Sequence, residues 1–379
     1  MAAATACQIA VDVIKLEKPD WEVTSTPLTD GGEGFCTILT ESMDGELVEK
    51  VVRGPRFEEI TAQFGLVDLE TLGKEFCDWL RFPTSGKIAI IEMAEASGLE
   101  RVPMEARDPG VTSSFGTGEL IDEAHQCGAE AILLGIGGSA TNDLGLGALE
   151  ALGLKFLDSE KHSIEKLSPS KWDKVATFSA GVPSDLPPIR IACDVENPLF
   201  GKNGAAAIFG PQKGLEAEDW IKIEEGGKRM ARMHCHYHSV SKSLCEEKGS
   251  GAAGGISFGL RAACGATLVP GIELVSRWLK LKEKMEWADL VITGEGRFDR
   301  SSLQGKGPGT MVREALEQGK SAWVFAGVLA GDLLGQLPKG LKASDLVQIA
   351  PAGYLLEQSI AEGKGLLKEA VREKIRTIG

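Results

Sequence analysis

The chain has 379 residues, 43% hydrophobic and 25% charged, with a formal net charge of −14. That length exceeds what one hydrophobic core organises and points to two domains, while the acidic balance, with no dense Lys/Arg run, excludes a nucleic-acid partner held by phosphate neutralisation. The 8 cysteines include no CxxC pair, which excludes zinc-ribbon and dithiol patterns and leaves reduced, largely buried thiols.

Ala4, Ile9, Val13 and Leu16 recur at helical spacing, and Pro19-Asp20 closes that helix before a strand over 22–28. The stretch 1–13 lacks a cationic start and meets Asp12 early, so no signal peptide is expected. No apolar run reaches membrane-spanning length, and the expected compartment is the cytoplasm.

A glycine turn at 30–34 opens a helix over 35–43, and a strand over 47–53 stops at Gly54-Pro55. Between about Leu66 and Lys87 the periodicity breaks up, which places a domain crossing near Leu66 before a buried strand begins at Ile88. A helix from Ser114 through His125, a strand over 131–134, a glycine loop, a helix to Leu152 and a strand over 154–157 continue the alternation.

The stretch 161–188 carries four prolines and no period, and a strand over 189–193 follows it. The segment 216–245 reads as one long amphipathic helix with Gly226-Gly227 as its candidate break, and 250–259 as a small-residue loop opening a helix. From Ala288 the order is strand, loop, helix over 309–318, strand over 322–326 and a final helix after Leu355. Repeated strand and helix units imply an α/β fold with parallel sheets.

Three segments run from an apolar strand through a glycine-rich, acid-bearing loop into a helix: LTDGGEG at 28–34, ILLGIGGSATND at 132–143 and LVITGEGRFD at 290–299. Such loops bring backbone N–H groups and a helix N-terminus to one anion. Carboxylates in the same loops repel a bare phosphate and ask for a cation between, as Mg²⁺ carried by a nucleotide supplies. The residues therefore read as phosphoryl transfer onto a small acceptor.

GIGGSA at 135–140 also matches the dinucleotide pattern GxGxxA, with Asp158 where a ribose-binding acid would sit. Polar Thr141, Asn142 and Asp143 oppose an NAD-dependent dehydrogenase, because a dinucleotide-binding helix packs small apolar residues there. No GxxxxGK[ST] occurs, since Glu314 stands where the first glycine of Gly319-Lys320-Ser321 would be. His234, His236 and His238 suggest a metal site but lack a second ligand pair at zinc-like spacing.

DGGEG at 30–34, IEMAEASGL at 91–99, SFGTGELI at 114–121 and GIGGSATND at 135–143 together resemble the class I glycerate kinase family. So do ACDVENPLFGKNGAAAIFGPQKG at 192–214, GAAGG at 251–255, TGEGRFD at 293–299 and LQGKGP at 303–308, in order along nearly the whole chain. The resemblance implies an ATP- and Mg²⁺-dependent kinase acting on D-glycerate, with 2-phosphoglycerate favoured over 3-phosphoglycerate. It implies a Rossmann-like or flavodoxin-like domain (1–66 and 281–379) interrupted by an inserted α/β domain (67–280), with the active site in the cleft.

Family members usually open with a further strand and an Asp-Ser-Phe-Lys-Gly-like loop, which this sequence starts after; a catalytically impaired, ligand-binding remnant is the alternative. Leu144 stands where the family tends to have glycine, and Ser301-Ser302 replace a Gln-Thr pair. The sequence leaves the oligomeric state open, a homodimer included.

A kinase of this kind deprotonates a hydroxyl, screens the transferring phosphoryl group and grips the acceptor's carboxylate. Asp194, Asp30 and Lys306 are the expected catalytic residues: Asp194 as base or metal-side carboxylate, Lys306 as a cation for phosphate. Arg297, Ser139, Thr141, Asn142, Asp143 and Asn197 are expected at the substrate. Gly31, Gly32, Gly137, Gly138, Gly254, Gly255, Gly294 and Gly296 are expected at the nucleotide, and Glu33, Glu295 and Asp299 at its Mg²⁺. Against these stand turn or helix capping for Asp194, Asp30, Ser139, Thr141 and Asn142, an ion pair with Asp299 for Arg297, and an exposed loop for Lys306.

Overall fold

The structure, a computed structural model, describes residues 1–379 except 30, 304–306, 332, 336 and 379. The chain folds as two compact α/β units, one continuous (Asp30–Leu274) and one discontinuous (Met1–Thr29 with Val275–Gly379).

The continuous unit holds strands β1 (Glu46–Arg53), β2 (Glu59–Asp68), β3 (Lys87–Glu92), β4 (Ala129–Gly135), β5 (Lys155–Leu157), β6 (Thr177–Ser179), β7 (Ile189–Ala192) and β8 (Thr267–Val269). Its main sheet has the order β1-β2-β3-β4-β7-β8. The pairs β3/β4, β4/β7 and β7/β8 are parallel, whereas β1/β2 and β2/β3 are antiparallel. Ile88 to Ile91 are fully buried, as a central parallel strand covered on both faces requires. Helix Phe115–Gln126 crosses from β3 to β4 and seats Leu120, Ile121 and Ala124 in the core.

Strand β2 was not among the expected elements. Its register on β3, from Phe64↔Ile91 to Asp68↔Lys87, ties 46–68 to the continuous unit. The units therefore part at 29/30 and 274/275, where the sequence suggested crossings near 66 and 281. Residues 22–28 form no strand; Trp21 and Val23 instead pack into an apolar core of the discontinuous unit.

Helix Trp220–Tyr237 runs unbroken through Gly226-Gly227. A Cβ on Gly226 would stand 3.1 Å from the Trp172 ring and one on Gly227 3.1 Å from Phe200, so these glycines form a notch for aromatic side chains. Strand β5 pairs antiparallel with β6 in a separate two-stranded sheet. The β4–loop–helix–β5 segment is thus no parallel βαβ unit. Asp158 accepts the amides of Glu160 and His162 in a local turn, which overturns the dinucleotide reading.

The discontinuous unit holds β9 (Leu290–Phe298), β10 (Ser321–Leu329) and β11 (Leu346–Gln348) in a parallel sheet ordered β11-β10-β9. Alternation along β10 sends Ala322, Val324 and Ala326 into one core with Val312 and Ala315 of helix Pro308–Glu317. Trp323 and Phe325 face the other core, with Val13 and Ile14 of helix Ala3–Glu17 and Leu367, Val371 and Ile375 of helix Leu356–Arg376. Glu17 joins those two helices through Arg372 at 3.2 Å and Arg376 at 2.9 Å. No helix among the described residues is long and apolar enough to cross a membrane.

Candidate active site

In the continuous unit, the parallel strands β3, β4 and β7 end together and deliver Glu92, the loop after Gly135, and Asp194 to one edge of the sheet. Carboxyl ends of parallel strands are where open α/β sheets bind ligands. The two glycine segments that the sequence singled out in this unit meet there. Gly137 donates to the Gly31 carbonyl at 2.8 Å. A Cβ on Gly137 would stand 2.5 Å from Gly32 Cα, one on Gly135 2.6 Å from the Phe35 ring, and one on Gly31 3.4 Å from the Ala192 carbonyl. Glycine at 135 and 137 is what lets the two loops stack.

The loop 135–143 is pinned along its length. The Gly138 carbonyl accepts from Leu99 at 2.7 Å, Ala140 donates to Ser97 at 2.9 Å, and Leu144 donates to Gly254 at 2.9 Å. Gly138, exposed at the tip, takes φ 68°. Among the described residues, the amides of Gly138 and Ser139 have no protein acceptor, and Thr141 Oγ1 and Asn142 Oδ1 are buried without a partner. Adjacent open amides form a concavity suited to an oxyanion.

Asp143 is fully buried and accepts from Ser114 N (2.7 Å), Ser114 Oγ (2.8 Å), Gly145 N (3.1 Å) and Gly147 N (3.2 Å). Burial pushes its carboxyl up, against those four hydrogen bonds. These contacts commit Asp143 to joining the starts of helices Phe115–Gln126 and Leu146–Ala151. Gly254 and Gly255 are likewise buried: a Cβ on Gly254 would stand 2.0 Å from the Thr141 carbonyl, and one on Gly255 3.0 Å from Leu144 Cα. They cradle the loop from behind.

Asp194 follows β7, exposed, with Oδ2 accepting from Ile272 N at 3.0 Å at the start of helix Gly271–Trp278. Asn197 donates to the Asn203 carbonyl at 2.8 Å and closes a neighbouring turn. Glu33 is exposed beside Gly34, whose φ of 80° begins helix Phe35–Glu41. Asp30 and Lys306 lie outside the described residues.

In the discontinuous unit, TGEGRF is part of strand β9 rather than a loop. Gly294 is explained by packing, since a Cβ there would stand 2.3 Å from the Phe325 carbonyl; Gly296 meets nothing within 4 Å. Glu295 Oε1 is buried without a partner among the described residues. Burial raises the Glu295 carboxyl, a hydrogen bond from the Ser302 hydroxyl opposes this, and the nearby Asp299 charge adds to it. Arg297 pairs with Asp299 at 3.5 Å, the internal ion pair weighed from sequence.

Glu92 and Lys213 were not singled out from sequence. Glu92 ends the buried run of β3 and accepts from Cys36 N at 3.3 Å; burial, with Glu95 and Glu33 nearby, pushes its carboxyl up to about 7. Lys213 is 2% exposed, its Nζ donating to Ser139 Oγ at 2.8 Å and the Thr141 carbonyl at 2.7 Å. Burial lowers its ammonium to about 7, with Asp143 opposing. A charge closing the apolar run IAIIE was the available signal for Glu92. Lys213, between Pro211 and Gly214, looks like any turn lysine.

Comparison with known proteins decides the family. The description "Glycerate kinase family" matches residues 1–379. The chain belongs to the glycerate kinase family. Glycerate 2-kinase of Escherichia coli (strain K12) is 40% identical over 322 residues, covering 83% of this chain and 78% of that protein. Glycerate kinase of Halalkalibacterium halodurans is 36% identical over 354 residues, covering 91% and 86%. A crystal structure from Salmonella typhimurium LT2, provisionally named glycerate kinase 2, superposes with a TM-score of 0.76 at 35% identity, covering 100% of this chain and 94% of that one.

As a member of the glycerate kinase family the chain is a kinase. Leu144 takes φ 61°, the left-handed region that favours glycine. On helix Trp220–Tyr237, His234 is a packing residue. His234 is fully buried against Phe178, Phe258 and His238, whereas His236 is exposed, and no group of three or more His, Cys, Asp or Glu residues placed to hold a metal occurs among the described residues.

Proposed function

We propose that this kinase transfers the γ-phosphoryl group of ATP to the 2-hydroxyl of D-glycerate. The observation that carries the reading is the stacking of the loops 31–34 and 135–143 on the edge where Asp194 emerges, in a chain that shares 40% identity with a glycerate 2-kinase.

Each group on the page suits one task. Asp194, oriented by Ile272 N, accepts the proton of the attacking hydroxyl, a role worth about 10²–10⁴-fold in rate. The Gly138 and Ser139 amides bind an anionic oxygen and stay fixed while charge shifts during transfer.

Mg²⁺ accompanying ATP fits the oxygen donors Glu295 and Asp299. The Asp299 charge adds to the cost of ionising Glu295, and Glu295 Oε1 is buried without a partner among the described residues. When bound, the ion screens the phosphate charge.

The experiment is to incubate purified protein with ATP, Mg²⁺ and D-glycerate, follow ADP, and identify the product by phosphorus NMR. ADP formation with 2-phosphoglycerate supports the reading. Only 3-phosphoglycerate would sink the regiochemistry, and a folded sample with no turnover would sink catalysis.

A further inference from the structure

We propose that Lys213 is the positioning residue of the kinase's glycine loop: held by Ser139 Oγ and the Thr141 carbonyl, it sets the loop's shape and places a positive charge beneath the amides that meet an oxyanion of the ligand. The inference rests on the reading of that loop as an anion site and extends it to a residue that touches no ligand.

The geometry carries the argument. Lys213 lies on a short helical turn, Pro211–Lys213, and its ammonium enters the loop from below, 2.8 Å and 2.7 Å from atoms of residues 139 and 141. Both partners are neutral, and neither compensates a buried ammonium as a carboxylate in contact would. Gly214 turns the chain at φ 88°, where a Cβ would stand 2.1 Å from the Arg107 carbonyl, so the turn is locked in place. The anchored residues themselves carry the Ser139 amide, which has no protein acceptor among the described residues, and the buried, unpartnered Thr141 Oγ1; the unpartnered Asn142 Oδ1 follows directly.

A fold that needed only to tie this loop down could use a neutral donor. The Asp143 carboxylate on the same loop partly offsets the buried charge without pairing with it directly, and an anion arriving above the loop would complete the compensation. The groups that face Lys213 are Asp143 on the loop and Arg107, whose guanidinium reaches the Gln212 carbonyl at 3.4 Å; helix Ala205–Phe209, also packed on this turn, carries none. The ammonium, lowered to about 7 by burial, is charged at pH 6 and largely neutral at pH 8.5.

The oxyanion has two sources, the carboxylate of glycerate and the phosphates of the nucleotide, and the test separates them. Wild-type protein, Lys213→Met and Lys213→Arg are titrated calorimetrically with D-glycerate and with ADP at pH 6 and 8.5, and assayed for KM and kcat. Expected is a loss of about tenfold in affinity for one of the two ligands in Lys213→Met at pH 6, shrinking to about twofold at pH 8.5, where one to two pKa units leave little charge on the wild-type lysine. Lys213→Arg, charged at both pH values, restores affinity. A glycerate effect assigns the loop to the acceptor, an ADP effect to the nucleotide.

Equal affinities in wild type and Lys213→Met, or a deficit that does not change with pH, would overturn the inference. If neither variant folds, Glu92→Gln removes a second group placed near 7, and a glycerate affinity that then shows no fall between pH 6 and 8.5, with ADP likewise flat, would overturn it. Lys213-dependent binding without turnover would sink the kinase reading and keep the inference; turnover indifferent to Lys213 would do the reverse.

Discussion

Gly137 donates its amide to the carbonyl of Gly31 across 2.8 Å, and this one bond joins two loops that lie about a hundred positions apart in the chain. The contact is possible because neither Gly32 nor Gly137 carries a side chain at the crossing, where a Cβ on Gly137 would fall 2.5 Å from Gly32 Cα.

Gly137→Ala therefore forces the loops apart. Overpacking of this kind costs about 1–3 kcal/mol of stability, but the larger effect is on rate, because a misplacement near 1 Å costs about 100-fold. Steady-state assays should show kcat/KM down by that order while the protein still melts cooperatively. A fully active Gly137→Ala enzyme would separate the loop contact from catalysis.

Gly296 offers the complementary test. A Cβ there meets nothing within 4 Å, and the residue sits in a strand with no left-handed φ, so packing gives no reason for glycine. Gly296→Ala should hold or raise stability by about 0.4–1 kcal/mol through the unfolded chain. If ligand passes over this backbone, KM rises several-fold in the same variant. Unchanged kinetics would remove Gly296 from the site.

Leu144 sets two effects against each other. Its left-handed backbone costs about 1–2 kcal/mol, yet its side chain is 2% exposed within the main core. Deleting a buried leucine costs about 2–5 kcal/mol, so Leu144→Gly should lower stability by about 1–3 kcal/mol despite relieving the strain. Denaturant melts decide the sign, and a stabilised glycine variant would show that strain dominates.

His234 makes the protein acid-sensitive. Burial first, and the neighbouring His238 second, lower its ring to about 3, whereas the unfolded chain binds that proton near 6.5. Between those values the unfolded state holds more protons, so stability falls as the pH drops, by at most about 1.4 kcal/mol per pH unit. Unfolding free energies measured at pH 7, 6 and 5 should fall more steeply for wild type than for His234→Phe. Parallel slopes would contradict the assignment.

Much of this fold was legible because its elements are strongly patterned. The run at Ile88, the helix ending near His125 and the amphipathic final helix each announce their period, and their observed bounds lie close to the expected ones. Strand β2 was legible in principle, because Ile60, Ala62, Phe64 and Leu66 alternate with Thr61, Gln63 and Gly65, but it was passed over, and the hairpin it forms puts the first unit boundary at 29 rather than 66. Gly294 read as a loop glycine because sequence cannot reveal that the Phe325 carbonyl lies against it.

The site was legible where local chemistry carries it. The glycine segments at 31–34 and 135–143 were visible as loops with helix starts, and the structure brings them together. The role of Asp143 was not, since its four donors come from residues 114, 145 and 147, gathered only by folding. Lys213 was hidden for the same reason: a lysine's burial belongs to the tertiary structure, not to its neighbours in sequence.

The discontinuous unit takes Val13 and Ile14 from before the continuous one and Leu367, Val371 and Ile375 from after it. On the ribosome, residues 30–274 emerge as an uninterrupted stretch able to collapse on their own, while the leading helix meets its buried partners Trp323 and Phe325 only after about three hundred further residues have been made. At about 5–20 residues per second that wait lasts tens of seconds. Maturation of the nascent enzyme is therefore ordered in time, its middle before its flanks, with the first helix as the segment most in need of a chaperone.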